Sequence, residues 1–298
     1  GQDTTLDASL ELRDTVFRGV YMDEEIRIAL TDTEASATIV DNRLDAQLRA
    51  ALADGSGEAN MKITIPDVVA EQRNLDANGD VRIDDVALFG VFVPDISRPQ
   101  GRIAGSIAAS GPVAAPDFVG SISLTDGAFE LRQTGIRVTD LNVQVTQHEA
   151  GQVRLVGSAR SGDGVLEVDG QSWIGTDSGL RSTIRLTGKD FELARSPNWQ
   201  VAASPDITAE FDDYVARING ELAIPRANIS IDALPESAEK ASPDAVVHRQ
   251  DTNQQVRKRR IDFDVRTSLG DAVYFEGFGL TSRLSGAVAL RGGTHSPY

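Results

Sequence analysis

Residues 120–131 read Gly-Ser-Ile-Ser-Leu-Thr-Asp-Gly-Ala-Phe-Glu-Leu. Apolar and polar side chains alternate at Ile122 and Leu124 and again at Phe129 and Leu131, with a polar Thr-Asp-Gly step between the two pairs. A period of two puts every second side chain on the same face of a β-strand. The stretch therefore predicts β-structure with one apolar face and one polar face.

The same alternation recurs along the whole chain, in short segments bounded by Gly, Asp, Asn or Pro. Roughly twenty such segments can be distinguished, which is typical of sandwiches, barrels or solenoids. We therefore predict an all-β fold. The apolar faces either cover one another as a core or line a cavity or groove, and alternation alone leaves both possibilities open.

The candidate lining residues are the alternating aliphatic and aromatic positions of these segments. They are Ile63, Ile65, Ile103, Ile107, Ile122, Leu124, Phe129, Leu131, Val143, Val145, Val153, Leu155, Leu166, Val168, Ile184, Leu186, Ile207, Phe211, Ile218, Leu222, Ile224, Phe263 and Val265.

One stretch, residues 42–52, also fits a helix, because leucines recur every four residues from Leu44 to Leu52. The same stretch alternates in the manner of a strand, with Ala46 and Ala50 between the leucines. We predict a strand here and keep the helix as the alternative.

The β pattern continues with the same character throughout, so we expect residues 1–298 to form one continuous elongated unit, a fragment of a longer chain. An apolar run within residues 86–99 ends in a Pro-flanked turn and predicts a segment that crosses over the groove or the sheet edge. Residues 234–244 are rich in Pro, Ser and Glu and predict an exposed loop.

Composition excludes several classes of function. A net charge of −16 disfavours nucleic acid, because binding a polyphosphate requires clustered cations. The absence of cysteine excludes disulfides and thiolate chemistry. The sequence contains no apolar run of about 18 residues and no signal-peptide pattern. We expect a soluble piece, a fragment whose targeting segment lies elsewhere.

Catalytic and metal-binding motifs are also missing. His148, His248 and His295 stand alone in the sequence, and neither a nucleophile elbow nor a phosphate-binding loop is present. We therefore expect no enzyme activity, no metal and no cofactor. The pairs Asp84-Asp85 and Asp212-Asp213 cannot converge on one substrate from a regular strand, because adjacent side chains point to opposite faces. Solvated carboxylates are the prediction for both pairs.

Two polar stretches allow alternative interpretations. Asp76-Ala-Asn-Gly-Asp80 superficially resembles a calcium loop, but its glycine and acidic spacing do not fit, and Asn-Gly favours a hairpin turn. The basic cluster at residues 257–260, Arg-Lys-Arg-Arg, either contacts anionic lipid headgroups or an acidic partner, or protects a strand edge from aggregation. The second interpretation is preferred.

Six longer phrases carry a family resemblance when they are read in order. They lie at residues 101–131 (GRIAGSIAASGPVAAPDFVGSISLTDGAFEL), 135–141 (GIRVTDL), 157–170 (GSARSGDGVLEVDG), 204–207 (SPDI), 218–229 (INGELAIPRANI) and 269–280 (LGDAVYFEGFGL). Together they resemble the periplasmic C-terminal region of the TamB family, the AsmA-like inner-membrane subunits of translocation and assembly modules. Residues 1–85 are similar only in style.

This resemblance implies an elongated, curled and open β-sheet, or β-taco, that encloses an apolar groove lined by the residues given above. It implies a periplasmic protein anchored in the inner membrane by an N-terminal segment that is missing here. The implied partners are phospholipid acyl chains and the Omp85-type outer-membrane barrel TamA, which is engaged through a terminal region largely absent from this chain.

The function implied by the family is the conduction of phospholipid between the inner and outer membranes. Assembly of outer-membrane β-barrel proteins by β-strand pairing is the alternative. An enzyme or adhesin built on a β-solenoid is a third possibility, which lacks support because the sequence has no acidic clusters suited to it.

Overall fold

The computed structural model describes residues 5–13, 15–21, 24–87, 95–149, 151–175, 179–231 and 260–293. These residues form eighteen β-strands, and no helix among them has the length and hydropathy to span a membrane. The first nine strands are β1 Thr5–Leu12, β2 Thr15–Tyr21, β3 Glu24–Val40, β4 Arg43–Leu52, β5 Gly57–Ile65, β6 Asn74–Ile83, β7 Ile96–Pro112, β8 Asp117–Leu131 and β9 Arg137–Glu149. The others are β10 Gln152–Ser161, β11 Gly164–Gly175, β12 Gly179–Lys189, β13 Phe191–Arg195, β14 Trp199–Phe211, β15 Val215–Ile231, β16 Arg260–Gly277, β17 Leu280–Arg283 and β18 Gly286–Gly293.

All eighteen strands belong to one sheet. From β3 to β12 each strand pairs antiparallel with the strand before it, and β14 and β15 continue the ladder after β12. Short tight turns suffice to connect the strands of such a meander, which explains why Gly and Asp recur between the alternating segments of the sequence. The predicted all-β fold with one elongated, curled and open sheet is confirmed.

Both lateral ends of the sheet are built from a long strand that carries two short ones. At one end, β1 and β2 pair with different halves of the same edge of β3. At the other end, β18 and β17 pair with successive parts of β16. β15 and β16 pair in parallel, whereas the other described pairs are antiparallel.

A row of β-bulges bends the middle of the sheet. The register shifts in β7, β8 and β9 near Arg98, Asp126 and Asp140, and each of these three residues has a left-handed backbone with φ near 50°. Aspartate tolerates this conformation better than β-branched residues do, and each bulge adds local twist. Bulges on neighbouring strands therefore form a crease that runs across the sheet.

Beyond the crease, the strand ends close into a small core. The buried side chains of Ile136, Val138, Ala159 and Phe191 pack there, next to Phe129, Leu131, Leu141 and Leu166. β13 contacts β10 and β11 in addition to its pairing partner β14, and the Arg195 amide donates to the Thr134 carbonyl at 2.8 Å. β13 thus ties the β8–β9 turn to β14 and seals one side of the apolar face.

Elsewhere the sheet is a single layer. In the described part of the chain, each strand other than β13 makes its extensive contacts only with its lateral neighbours. Ten apolar side chains are buried among the described residues, and most of them are small or belong to the closed core. The apolar face is therefore not covered by an opposing sheet.

Two local predictions have opposite outcomes. Residues 43–52 form β4, so the strand was the right choice over the helix. The Asn-Gly turn is wrong, because Asn78 and Gly79 lie inside β6. An alanine Cβ at position 79 would come within 3.0 Å of the Asn60 carbonyl oxygen, so the glycine serves close strand packing and not a reversal.

The predicted crossover and loop are only partly within the described residues. Residues 88–94 of the crossover segment 86–99 lie outside them, Val86 is buried, and β7 begins at Ile96. The loop predicted at residues 234–244 lies entirely outside the described residues.

Candidate functional site: an open apolar trough

The strand register places every predicted lining residue on one face of the sheet. Directly paired residues on neighbouring strands share a face, so the pairs can be followed across the molecule. Ile83 pairs with Ile103, Ile103 with Leu124, and Leu124 with Val143. The same parity holds along β10 to β16, to Phe263 and Val265. We refer to this side as the apolar face and to the other side as the polar face.

A trough of about 480 Å³ lies on the apolar face, where β4 to β10 contribute to its lining. Four of the predicted residues line it, namely Ile107, Ile122, Val145 and Val153. Ile107 and Ile122 are exposed, although both are large and aliphatic. The trough is therefore an unfilled apolar surface and not a packed core.

Six apolar lining residues were missing from the prediction: Leu48, Ala59, Met61, Val81, Phe118 and Val119. Leu48 and Met61 belong to the alternating segments and could have been included on that basis. Phe118 begins its strand right after a turn, where alternation is too short to be recognised.

The other predicted residues share the face but lie outside the trough. Phe129, Leu131 and Leu166 pack against the closed core. The predicted positions on β12, β14 and β15 are partly buried within the sheet surface. The apolar face is thus open up to β10 and more tightly packed from β11 to β15, and Phe263 on β16 is exposed again.

Glycines alternate with branched aliphatic residues across the trough floor. Gly79 pairs with Met61 and Ile107, and Gly120 pairs with Ile107 on its other side. Along the next row, Gly105 lies between Val81 and Ile122. Side chains crowd together on the inside of a curved sheet. Because glycine has no side chain, the neighbouring apolar side chains fit beside it and the trough stays deep.

The polar face carries cross-strand ion pairs in place of apolar side chains. Arg185 contacts Asp206 at 3.0 Å, Arg291 contacts Asp264 at 3.0 Å, and Arg154 forms a pair with Asp169. All of these groups are solvent-exposed, so each pair contributes at most about 1 kcal/mol. Their main effect is to keep this face wet and well solvated.

One aspartate of each pair accepts hydrogen bonds within a turn. Asp212 Oδ1 accepts hydrogen bonds from the Tyr214 and Val215 amides at 2.9 and 2.7 Å, and Asp85 accepts from the Ala87 amide at 2.8 Å. The Tyr214 amide first, and the Val215 amide next, hold the pKa of Asp212 below its ordinary value. A carboxyl group with a lowered pKa is a poor proton donor at neutral pH, so Asp212 has a structural role.

Hydrogen bonds lower the pKa of two further carboxyl groups in turns and strand ends. The Arg43 guanidinium, followed by the Thr64 hydroxyl, lowers the pKa of Asp45. The Ser56 hydroxyl and then the Ser56 amide lower the pKa of Asp54. Among the described residues, no three His, Cys, Asp or Glu side chains are grouped as a metal site would require. His248, His295 and residues 257–259 of the basic cluster lie outside the described residues, whereas Arg260 begins β16.

Two protein-family models match this chain. The model of the TamB C-terminal domain matches residues 154–298, and the model of the TamB N-terminal domain matches residues 1–124. The chain belongs to the TamB family. No solved structure matches it.

A curated member of the TamB family from Haemophilus influenzae, the translocation and assembly module subunit TamB, is 23% identical over 245 residues. The alignment covers 72% of this chain and 19% of that relative, so the chain spans about a fifth of the length of the relative it matches. In this TamB-family segment, the apolar trough and the closed core lie on the same face of one sheet.

Proposed function

We propose that this segment of a TamB-family protein conducts phospholipid between the inner and outer membranes by holding acyl chains in the apolar trough. The observation that carries the proposal is the open trough of about 480 Å³, whose apolar side chains are not covered by a second layer in the described residues. The function needs no catalytic residue, and we propose that the protein is not an enzyme.

The dimensions of the trough suit a hydrocarbon chain. Seven neighbouring strands span six spacings of about 4.8 Å, or about 29 Å along the sheet. One leaflet of a bilayer has a hydrocarbon thickness of about 15 Å, half that of the whole core. Each methylene kept out of water stabilises the bound state by about 0.8 kcal/mol, so partial cover along such a path lowers the barrier to transfer substantially.

The apolar face is exposed at both lateral ends of the sheet. Leu6 and Leu10 on β1 are exposed on the apolar face, as are Val288 and Leu290 on β18. Neither end of the face is closed by a packed core among the described residues. A lipid could enter or leave at either end while its headgroup stays in water.

The remaining parts of the proposal rest on the family. We propose that the chain is one continuous β unit within a longer protein that is anchored in the inner membrane and extends through the periplasm. The name of the matched relative supports membership of a translocation and assembly module. The proposed partner is the Omp85-type barrel TamA, contacted by other parts of the protein.

The proposal is tested by comparing charges placed on opposite faces. Ile122 on the apolar face is 48% exposed, and Val156 on the polar face is 38% exposed. Ile122→Arg places a charge in the trough, whereas Val156→Arg places one near Asp169 on the polar face. The measurement is photo-crosslinking of phospholipid to a probe at position 145 in each purified variant.

We expect Ile122→Arg to reduce lipid crosslinking by about ten-fold or more, because a charge near an acyl chain loses hydration. Val156→Arg should leave crosslinking unchanged. Equal crosslinking of phospholipid in the two variants, both folded, would overturn the proposal that the trough conducts phospholipid.

The alternative function, assembly of outer-membrane barrel proteins by strand pairing, is favoured by one observation. The outer edge of β18 has no pairing partner among the described residues, and its sequence, Gly-Ala-Val-Ala-Leu-Arg-Gly-Gly, contains no proline or lysine. Such residues normally protect an edge from strand addition. The edge can therefore offer backbone hydrogen bonds to an extended client segment.

Proline variants separate this alternative from the conduit. Amide groups of adjacent strand residues point to opposite edges, so Ala287→Pro and Val288→Pro remove one inward and one outward donor. Loss of the inward donor breaks a hydrogen bond with β16 and lowers the stability of the protein. The variant that keeps the stability of the parent is therefore the one that has lost the outward donor. Strand pairing predicts that this variant loses binding of an unfolded barrel protein, whereas Ile122→Arg retains it.

A further inference from the structure

A second cavity lies at the closed side of the sheet, away from the trough. It has a volume of about 560 Å³ and is lined by Gln133, Thr134, Ala194, Ser196, Pro197, Asn198 and Trp199. None of the trough residues lines it. We refer to it as the Trp199 pocket.

Backbone hydrogen bonds join the two loops that form the Trp199 pocket to each other and to β15. The Arg195 amide donates to the Thr134 carbonyl at 2.8 Å, and the Ser230 amide donates to the Asn198 carbonyl at 2.8 Å. Gly135 has φ of 68°, and a Cβ there would come 2.4 Å from the Arg195 carbonyl oxygen, so the loops approach as closely as glycine permits. The pocket is therefore formed before any ligand arrives, which limits the entropy lost on binding.

Trp199 is held at the mouth of this pocket by its own turn. The Ser196 amide donates to the Trp199 carbonyl at 2.8 Å, and the Trp199 amide donates to Ser196 Oγ at 3.1 Å. The side chain is nevertheless 52% exposed. These contacts anchor the backbone of Trp199, and its exposed indole is a flat apolar platform whose N–H is able to donate a hydrogen bond.

The polar groups of the pocket are neutral. Amides come from Gln133 and Asn198 and hydroxyl groups from Thr134 and Ser196. The Gln133 amide donates to Asp95 at 2.8 Å, which orients a side chain that also carries an acceptor oxygen. Thr134 Oγ1 is buried and has no hydrogen-bond partner among the described residues, an unusual state for a hydroxyl group.

From these features we infer that the Trp199 pocket binds a neutral sugar ring of a glycan. A pyranose presents C–H groups on one face, which suit the indole, and hydroxyl groups at its rim, which suit the amides of Gln133 and Asn198 and the hydroxyl of Ser196. The seven lining residues carry no charge, so an anionic ligand finds no cation there. A proline-rich peptide fits less well, because grooves for such peptides are lined by several aromatic rings and this pocket has one.

The test uses the two tryptophans of the chain, Trp173 and Trp199. In a Trp173→Phe background, the indole fluorescence reports on Trp199 alone. Triacetylchitotriose, maltotriose and a decaproline peptide are titrated separately, and binding to the Trp199→Ala and Asn198→Ala variants is measured by saturation-transfer NMR. Trp173→Ala is the matched control, because Trp173 is exposed on the polar face.

We expect one or both sugars to shift the Trp199 fluorescence saturably. Trp199→Ala should weaken that binding by about ten-fold or more, Asn198→Ala should weaken it to a smaller extent, and Trp173→Ala should not affect it. The inference is overturned if neither sugar binds up to about 10 mM, if Trp199→Ala binds as well as the parent, or if decaproline alone binds. Circular dichroism of each variant confirms that the sheet is intact.

Discussion

Ile122 on β8 lies directly opposite Gly105 on β7, on the apolar face of the sheet. A Cβ built on Gly105 would lie 3.5 Å from Cγ1 of Ile122 and 3.3 Å from Cγ1 of Val81 on the other side. The two aliphatic side chains therefore share the space above the glycine. This arrangement makes Gly105 a position at which a larger side chain would reduce the depth of the trough, and its Cβ would also lie 3.2 Å from the Ser121 carbonyl oxygen.

Gly105→Leu should partly fill the trough. We expect the variant to fold with a loss of about 1–3 kcal/mol, because the added atoms must displace Val81 or Ile122. Lipid crosslinking at position 145 should fall at the same time. Ala104→Leu, one residue earlier on the polar face of the same strand, is the control and should leave crosslinking at the parental level.

Gly120→Ala should be much more disruptive than Gly105→Ala. A Cβ at position 120 would come 2.5 Å from the Ser106 carbonyl oxygen, whereas the nearest atom at position 105 is 3.2 Å away. Both neighbours are backbone carbonyl oxygens, which cannot move aside as a flexible side chain can, so the shorter distance decides the outcome. We expect a loss of more than about 2 kcal/mol at Gly120 and a smaller loss of about 1 kcal/mol at Gly105. Urea denaturation followed by tryptophan fluorescence measures both, and equal midpoints would contradict the packing described for the trough floor.

Phe191→Ala should destabilise the closed side of the sheet. Phe191 is 7% exposed within the core, and truncation of a buried phenylalanine costs about 3–5 kcal/mol. Phe118 lines the trough and is 43% exposed, so Phe118→Ala should cost less than half as much. Thermal or chemical denaturation of the two variants distinguishes a packed core from an open lining, and similar losses would argue that the trough is filled.

The ion pair between Arg185 and Asp206 should contribute little. The nitrogen–oxygen distance is 3.0 Å, but both side chains are 60% exposed. We expect Arg185→Ala to lower the free energy of unfolding by less than about 1 kcal/mol, and the difference should shrink in about 1 M salt. A double-mutant cycle with Asp206→Ala measures the coupling, and a salt-independent value would contradict a solvated pair.

Acid should weaken the turn that Asp212 closes. Its pKa in the folded chain lies below its ordinary value because the Tyr214 and Val215 amides bind the charged carboxylate. The stabilisation is therefore fully present above the unfolded-state pKa and is lost as the pH falls through the lower, folded-state pKa. Asp212→Ala should be less stable than the parent at pH 7, and the two should converge under strongly acidic conditions in denaturation curves. A stability difference between the two proteins that widens on acidification would contradict this prediction.

Alternation predicted the faces of the sheet well. Ile122, Val143 and Val168 share a face because antiparallel pairing joins residues of matching parity, and the apolar pattern leaves each strand one favourable register. Alternation within a strand does not show which distant strand it pairs with, so the pairing of β15 with β16 could not be predicted. Their parallel pairing depends on contacts between distant segments, which local periodicity cannot reveal.

Glycine was the main source of error at the level of single residues. Asn78-Gly79 has the composition of a hairpin turn, yet the two residues lie inside β6, where Gly79 leaves space for Ile107. The bulges at Asp126 and Asp140 and the Trp199 pocket gave no sequence signal. Each depends on how separate strands or loops approach one another, and that approach is set by the curvature of the whole sheet.

Parallel pairing of β15 with β16 divides the assembly of the sheet into a fast stage and a slow stage. From β3 to β12 each strand can add to a template that the preceding strand provides, which keeps the required contacts short in sequence. Partners such as Val215 and Arg260 stand 45 positions apart, so chain entropy is lost before their contacts form. We expect zipper-like growth through β15 and a kinetic pause before β16 docks.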